Sequence, residues 1–153
     1  MAHELPYFYR TEVEWCGDKE ATLQSQELPP IHVVPPPEFE GEAGMWTPEH
    51  LFVGSINSCF VMTFLAVARL SNLDFASFSS AAVGKLERTE RGNFQITQVV
   101  LKPALVLRHS NDLERAGRLL EKAERNCLIS RSIITAVKLE PEINFESSEM
   151  FVG

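Results

Sequence analysis

A cysteine stands in the middle of a long uncharged run, ten residues after a glutamate, in Pro48-Glu49-His50-Leu51-Phe52-Val53-Gly54-Ser55-Ile56-Asn57-Ser58-Cys59-Phe60. A second, Cys127, lies in Ala123-Glu124-Arg125-Asn126-Cys127-Leu128-Ile129-Ser130, at the end of another helical pattern. Two cysteines far apart in sequence, each at a helix, are the makings of a thiol site that opens and closes. A thiol reacts as its thiolate, whereas burial among apolar groups favours the neutral form. Cys59 therefore needs a cation or a hydrogen-bond donor beside it before it can attack anything. Without one, each cysteine is a small buried hydrophobe, the commoner role of a free cysteine.

Other chemistry finds less support. Cys16 sits in a turn and reads as a bystander. His3, His32, His50 and His109 show no metal-ligand spacing with the cysteines or with each other, so no metal centre is expected. A Cys59–His50 or Cys59–His109 pair would make a hydrolase, but no nucleophile motif accompanies either. No glycine-rich phosphate loop is present. A net charge of −7 without any basic run argues against a nucleic-acid partner. Three cysteines, an odd and low number, fit a reducing compartment, and a cytoplasmic protein is expected. Met1-Ala2-His3-Glu4-Leu5-Pro6 lacks the basic patch and apolar core of a secretory signal. The uncharged run Leu51 to Ala68 approaches the length of a membrane span. Gly54, Ser55, Asn57, Ser58 and Thr63 dilute it and no second such run follows, so a central buried helix is the reading, with no membrane partner.

The elements that must position these residues follow from periodicity. At 153 residues the chain is read as a single domain, 1–153, with a core that needs no disulfide staples. Residues 7–15 are aromatic-rich and end in alternation, as a strand does. Cys16-Gly17-Asp18-Lys19 reads as a turn, followed by a strand over 21–26 and a short strand at Ile31-His32-Val33-Val34. Pro35-Pro36-Pro37 stops the pairing. Thr47-Pro48-Glu49 is a helix start: an N-cap, proline at the first position and an acid in the first turn. That helix should reach Ser71-Asn72. Two long strands, from Phe78 to Arg88 and from Phe94 to Arg108, are joined at Glu90-Arg91-Gly92-Asn93. Asn111-Asp112 opens an amphipathic helix with Leu113, Ala116, Leu119, Leu120 and Ala123 inward. A last strand is expected from Ile133 to Phe145, interrupted by Pro141. The order is α+β without βαβ alternation. A first helix apolar nearly all round needs more cover than one sheet face gives, so a homodimer is expected.

At these residues the chain resembles the OsmC/Ohr family, the osmotically inducible and organic hydroperoxide resistance proteins. The resemblance rests on Thr47-Pro48-Glu49-His50-Leu51-Phe52 followed by Asn57-Ser58-Cys59-Phe60, and on Asn126-Cys127-Leu128-Ile129-Ser130, similar to the family's Cys-Pro-x-Ser with Leu128 in place of proline. It covers about Tyr9 to Phe145. It implies an OsmC-like fold of antiparallel sheets with a long central helix, an intertwined homodimer, and a thiol-dependent peroxidase acting on hydroperoxides. By position, Cys59 would be the peroxidatic thiol, Cys127 the resolving thiol and Glu49 the carboxylate that orients an arginine. No cofactor is implied beyond an external thiol or dithiol reductant.

The arginine is where the sequence departs. The loop after the first strand reads Trp15-Cys16-Gly17-Asp18-Lys19-Glu20, and no arginine occurs between Arg10 and Arg69. Lys19 is the nearest positional substitute, without the planar fork that holds carboxylate and thiolate together. Glu49 also stands roughly 15 Å along a helix from Cys59, so partnership would need another subunit's Glu49 or a bridging group. The acceptor pocket is expected to include Phe52, Phe60 and Met62, which favours an organic peroxide. The alternative is a non-peroxidatic protein of the same fold that binds a small apolar ligand at the dimer interface.

Overall fold

A computed structural model of the chain describes residues 4–146. The elements are β1 (Glu12–Gly17), β2 (Glu20–Gln24), β3 (Ile31–Val33), α1 (Pro48–Leu70), β4 (Phe75–Arg88), β5 (Phe94–Leu107), α2 (Leu113–Arg125), β6 (Ala136–Leu139) and β7 (Glu142–Phe145). The fold is α+β, as expected. It divides into two compact units between Phe52 and Val53.

The first unit carries a three-stranded antiparallel sheet in the order β1-β2-β3. Gly17 and Asp18 take positive φ, 114° and 49°, and turn β1 back onto β2. A bulge between Trp15 and Gly17 accompanies that turn. Residues 7–11, expected to begin the first strand, form no ladder, and Tyr9 and Phe8 are exposed there. After β3, Val34 donates to the Trp46 carbonyl at 3.0 Å. The intervening loop closes on itself at Gly41: a Cβ there would lie 1.5 Å from the Pro35 carbonyl oxygen, so only glycine fits. Thr47 caps α1 as its sequence foretells, its Oγ1 accepting the His50 N–H at 3.0 Å.

In the second unit α1 buries one stripe, Ile56, Phe60, Phe64 and Ala68, at the four-residue spacing of a helix face. That stripe meets the aromatic end of β4. Phe64 and Phe78 have ring centroids 4.4 Å apart, and Phe60 also faces Phe78, at 6.4 Å. Asn57 Nδ2 donates to the Ser80 carbonyl at 2.9 Å. The opposite side of α1 is open: Met62 is 61% and Leu70 80% exposed. By length and composition α1 could cross a membrane.

β4 and β5 form a long antiparallel hairpin from Phe75↔Leu107 to Arg88↔Phe94, turned at Gly92 with φ 84°. β5 is the spine of the core, with Val99, Leu101, Leu105 and Leu107 fully buried. α2 adds Ala116, Leu119, Leu120 and Ala123, whereas Leu113, expected inward, is 43% exposed in the first turn.

The last segment breaks at Pro141 as expected but departs from expectation in its direction. It is two short strands, and both lie parallel to β5, through Val99↔Val137 and Leu105↔Ile143. The antiparallel pattern therefore holds for the first sheet and the hairpin but not for this edge. Pro141 has no N–H for the ladder and splits the run. The parallel direction follows from α2, because a crossover of a dozen or more residues returns the chain to the same end of the sheet.

Candidate functional site: two facing thiols

Cys59 projects from the middle of α1 and is partly exposed; Cys127 is fully buried just beyond α2. Both are free thiols. α2 gives out at Arg125, and the chain tightens at once. Cys127 N donates to the Glu124 carbonyl at 3.2 Å, and Arg131 N donates to the Cys127 carbonyl at 3.1 Å. Ser132 donates back twice, N to the Ile129 carbonyl at 2.9 Å and Oγ to the Leu128 carbonyl at 2.8 Å. This turn sets Cys127, Leu128 and Ile129 against Cys59.

The two sulfurs have opposite proton affinities. Burial pushes the Cys59 thiol up, but donors outweigh it and hold the group below the ordinary cysteine value: the Ile129 N–H, the Cys127 thiol, the Thr63 hydroxyl and the Leu128 N–H. The Cys127 thiol is pushed up, chiefly by burial and further by the neighbouring Cys59, against opposing hydrogen bonds from Ser130. The Cys127 thiol is thus the donor of the pair and the Cys59 sulfur the acceptor. Thr63 Oγ1 also lies 2.7 Å from the Cys59 carbonyl oxygen. A hydroxyl has one proton, so Thr63 serves the carbonyl at rest and can swing to the sulfur when that becomes an anion. Ser130 Oγ is buried without a formed hydrogen bond, and the group it lies close enough to stabilise is the Cys127 sulfur. A thiol is a poor acceptor for that hydroxyl; a thiolate is a good one.

Glu49 and Lys19 both line one cavity of the first unit, of about 540 Å³, whose other walls include Leu23, Val33, Phe39 and Leu51. Glu49 Oε1 is buried there without a hydrogen-bond partner. Lys19 Nζ stands 3.9 Å from Glu40 Oε1, a solvated pair of little strength. Arg10 stacks over the Phe8 ring at 5.6 Å. The acceptor lining expected from sequence needs one correction: Phe60 is fully buried in the aromatic core and cannot face a ligand, whereas Met62 is open.

Cys16 is exposed, its Sγ 3.6 Å from Thr22 Oγ1. Three histidines are engaged by neighbours: His32 with Glu20 at 2.5 Å, His50 Nδ1 with Thr47 Oγ1 at 2.7 Å and His109 with Asp74 at 3.2 Å. His3 lies outside the described residues. No cluster of three metal-ligating side chains occurs among the described residues.

Three of the donors to Cys59 were not foreseen in the sequence: the Thr63 hydroxyl and the Leu128 and Ile129 N–H groups. Thr63 sits four residues after Cys59, on the same helix face, and that spacing could have found it. The main-chain groups of Leu128 and Ile129 leave no mark in a sequence.

A mixed α+β scaffold holding a facing pair of thiols between a central helix and a post-helical turn defines a small thiol protein. The chain belongs to the OsmC family: the model of the OsmC-like protein matches residues 41–142. An uncharacterised protein of Bacillus subtilis, YmaD, is 28% identical over 141 residues, covering 89% of this chain and 92% of that one. The structure of an OsmC-like protein of unknown function from Vibrio cholerae superposes with a TM-score of 0.82 at 23% identity, covering 89% of this chain and 99% of that one. An organic hydroperoxide resistance protein, OsmC, from Legionella pneumophila superposes at 0.70 with 23% identity, covering 91% and 99%.

Proposed function

We propose that the protein is a thiol-dependent reductase of organic hydroperoxides, working through Cys59 and Cys127. The observation that carries this reading is the facing pair with opposed proton affinities, the Cys59 thiol held below and the Cys127 thiol pushed above the ordinary cysteine value. Family membership and a structural relative named for hydroperoxide resistance support the same reading. The Cys59 thiolate attacks the distal peroxide oxygen: an S–O bond forms, the O–O bond breaks, sulfur loses two electrons, and the alkoxide leaves as the alcohol with a proton from solvent. Cys127 then attacks the sulfenic sulfur. An S–S bond forms, the S–O bond breaks, and hydroxide departs as water with the Cys127 proton. An external dithiol reduces the disulfide by two exchanges. A second copy of the chain covers the open face of α1 around Met62, Leu65 and Leu70, giving a homodimer, and free thiols suit a reducing cytoplasm.

The test is consumption of cumene hydroperoxide with a dithiol, followed in a coupled assay alongside mapping of the oxidised protein. Turnover with a Cys59–Cys127 disulfide is expected. No consumption and no such disulfide would sink the enzyme reading. The orphaned Glu49 oxygen in an apolar cavity favours one second reading, a non-peroxidatic protein that binds a small apolar ligand carrying a hydrogen-bond donor. Saturable ligand binding without peroxide turnover would establish it.

Ser130 separates the two chemical steps. Ser130→Ala removes a donor that opposes the rise of the Cys127 thiol, so fewer Cys127 thiolates are available to close the disulfide. Closure after a single peroxide equivalent is expected to slow about three- to tenfold, with sulfenic acid trapped by dimedone. An unchanged closure rate would remove Ser130 from this role.

A further inference from the structure

The four groups that favour the Cys59 anion are all uncharged donors, and two are main-chain N–H groups of consecutive residues, Leu128 and Ile129. The turn fixes them. Its hydrogen bonds use the carbonyls of Cys127, Leu128 and Ile129, each taken by Arg131 or Ser132. Among the described residues neither the Leu128 nor the Ile129 N–H donates to a backbone carbonyl. Two successive N–H groups turned to one side form a concavity that binds an anion.

We propose that the Leu128–Ile129 turn is the thiolate-holding element of this site, and that the Leu128 N–H supplies part of the stabilisation for which the loop after β1 offers no arginine. This rests on Cys59 being the reactive thiol. Leu128 is 69% exposed, so its side chain contributes little to the core, and what it adds to the site is the N–H. Proline, which the family motif places here, has none to give. Backbone donors need no side-chain ordering to act, and they hold their direction as the sulfur passes from thiolate to sulfenic acid.

The experiment labels Cys59 with iodoacetamide from about pH 5 to pH 10 in a Cys16→Ser background, the site of label being read by mass spectrometry. In Leu128→Pro, labelling of Cys59 at neutral pH is expected to fall about three- to tenfold and the midpoint of its profile to move up. Leu128→Ala keeps the N–H and is expected to match the parent. Should the proline variant fail to fold, replacing Leu128 by leucic acid puts an ester in place of the amide. That removes the same proton with the side chain intact, and it is read in the same way. An unshifted profile in the proline or ester form, or an equal fall in Leu128→Ala, overturns the proposal. Labelling needs no peroxide. A protein that shows the shift but consumes no hydroperoxide would therefore refute the enzyme reading and leave this one standing. Full turnover with an unshifted profile would do the reverse.

Discussion

Cys59→Ser is expected to lower hydroperoxide consumption by a factor on the order of a thousand or more, because a serine hydroxyl ionises far less readily than a thiol and is a much weaker nucleophile. Cys127→Ser should behave differently. It keeps the nucleophile and loses the closing step, so one equivalent of peroxide is consumed at close to the parent rate and turnover then stops. With excess peroxide the trapped sulfenic acid should advance to sulfinic acid, a gain of two oxygens at Cys59 by mass. The pH dependence has a definite sign. The attacking fraction grows as Cys59 loses its proton, and the donors around it hold that loss below the ordinary thiol value. The rate of the first step should therefore rise with pH and level off at a lower pH than a free cysteine, whose midpoint is about 8.5. Stopped-flow consumption across pH, with both variants, checks all three outcomes. A Cys59→Ser protein that still turns over would place the chemistry elsewhere.

The largest effect on stability is expected at Phe64. Its side chain is fully buried and its ring lies over Phe78 with a second contact to Phe75 at 6.0 Å. Phe64→Ala deletes the ring and leaves a cavity between α1 and β4, which should cost about 3–5 kcal/mol. Leu65, the next residue on the helix, is 39% exposed, and Leu65→Ala in the monomer should cost far less. The pair is read from urea midpoints at constant m-value. Equal losses would mean that the outer face of α1 is as covered in solution as the inner one, and they would depend on protein concentration if a second copy supplies that cover.

Much of this architecture is written locally in the chain. Thr47-Pro48-Glu49 announces the start of α1, and Gly92 marks the long hairpin, because caps and positive φ demand particular residue types. The burial of Leu113 and the direction of the strands after Ile133 were misread for the opposite reason. Whether a first-turn leucine is covered, and whether a strand runs parallel or antiparallel, depends on partners distant in sequence. The aromatic stretch at Tyr7–Tyr9 has strand propensity but no ladder beside it, so tertiary context overrode propensity. At the site, the two thiols were legible as rare side chains in patterned positions. The Leu128 and Ile129 donors were not, since every residue except proline carries an N–H and only the path of the turn aims it.

Cys127 has no exposed surface, whereas Cys59 has some. An incoming reductant facing a disulfide between them would find a single sulfur within reach. The mixed disulfide should then form on Cys59, with Cys127 departing into the donors that Ser130 holds out to it. In the proposed cycle burial would thus steer electron entry, and the sulfur that meets the oxidant would also meet the reductant.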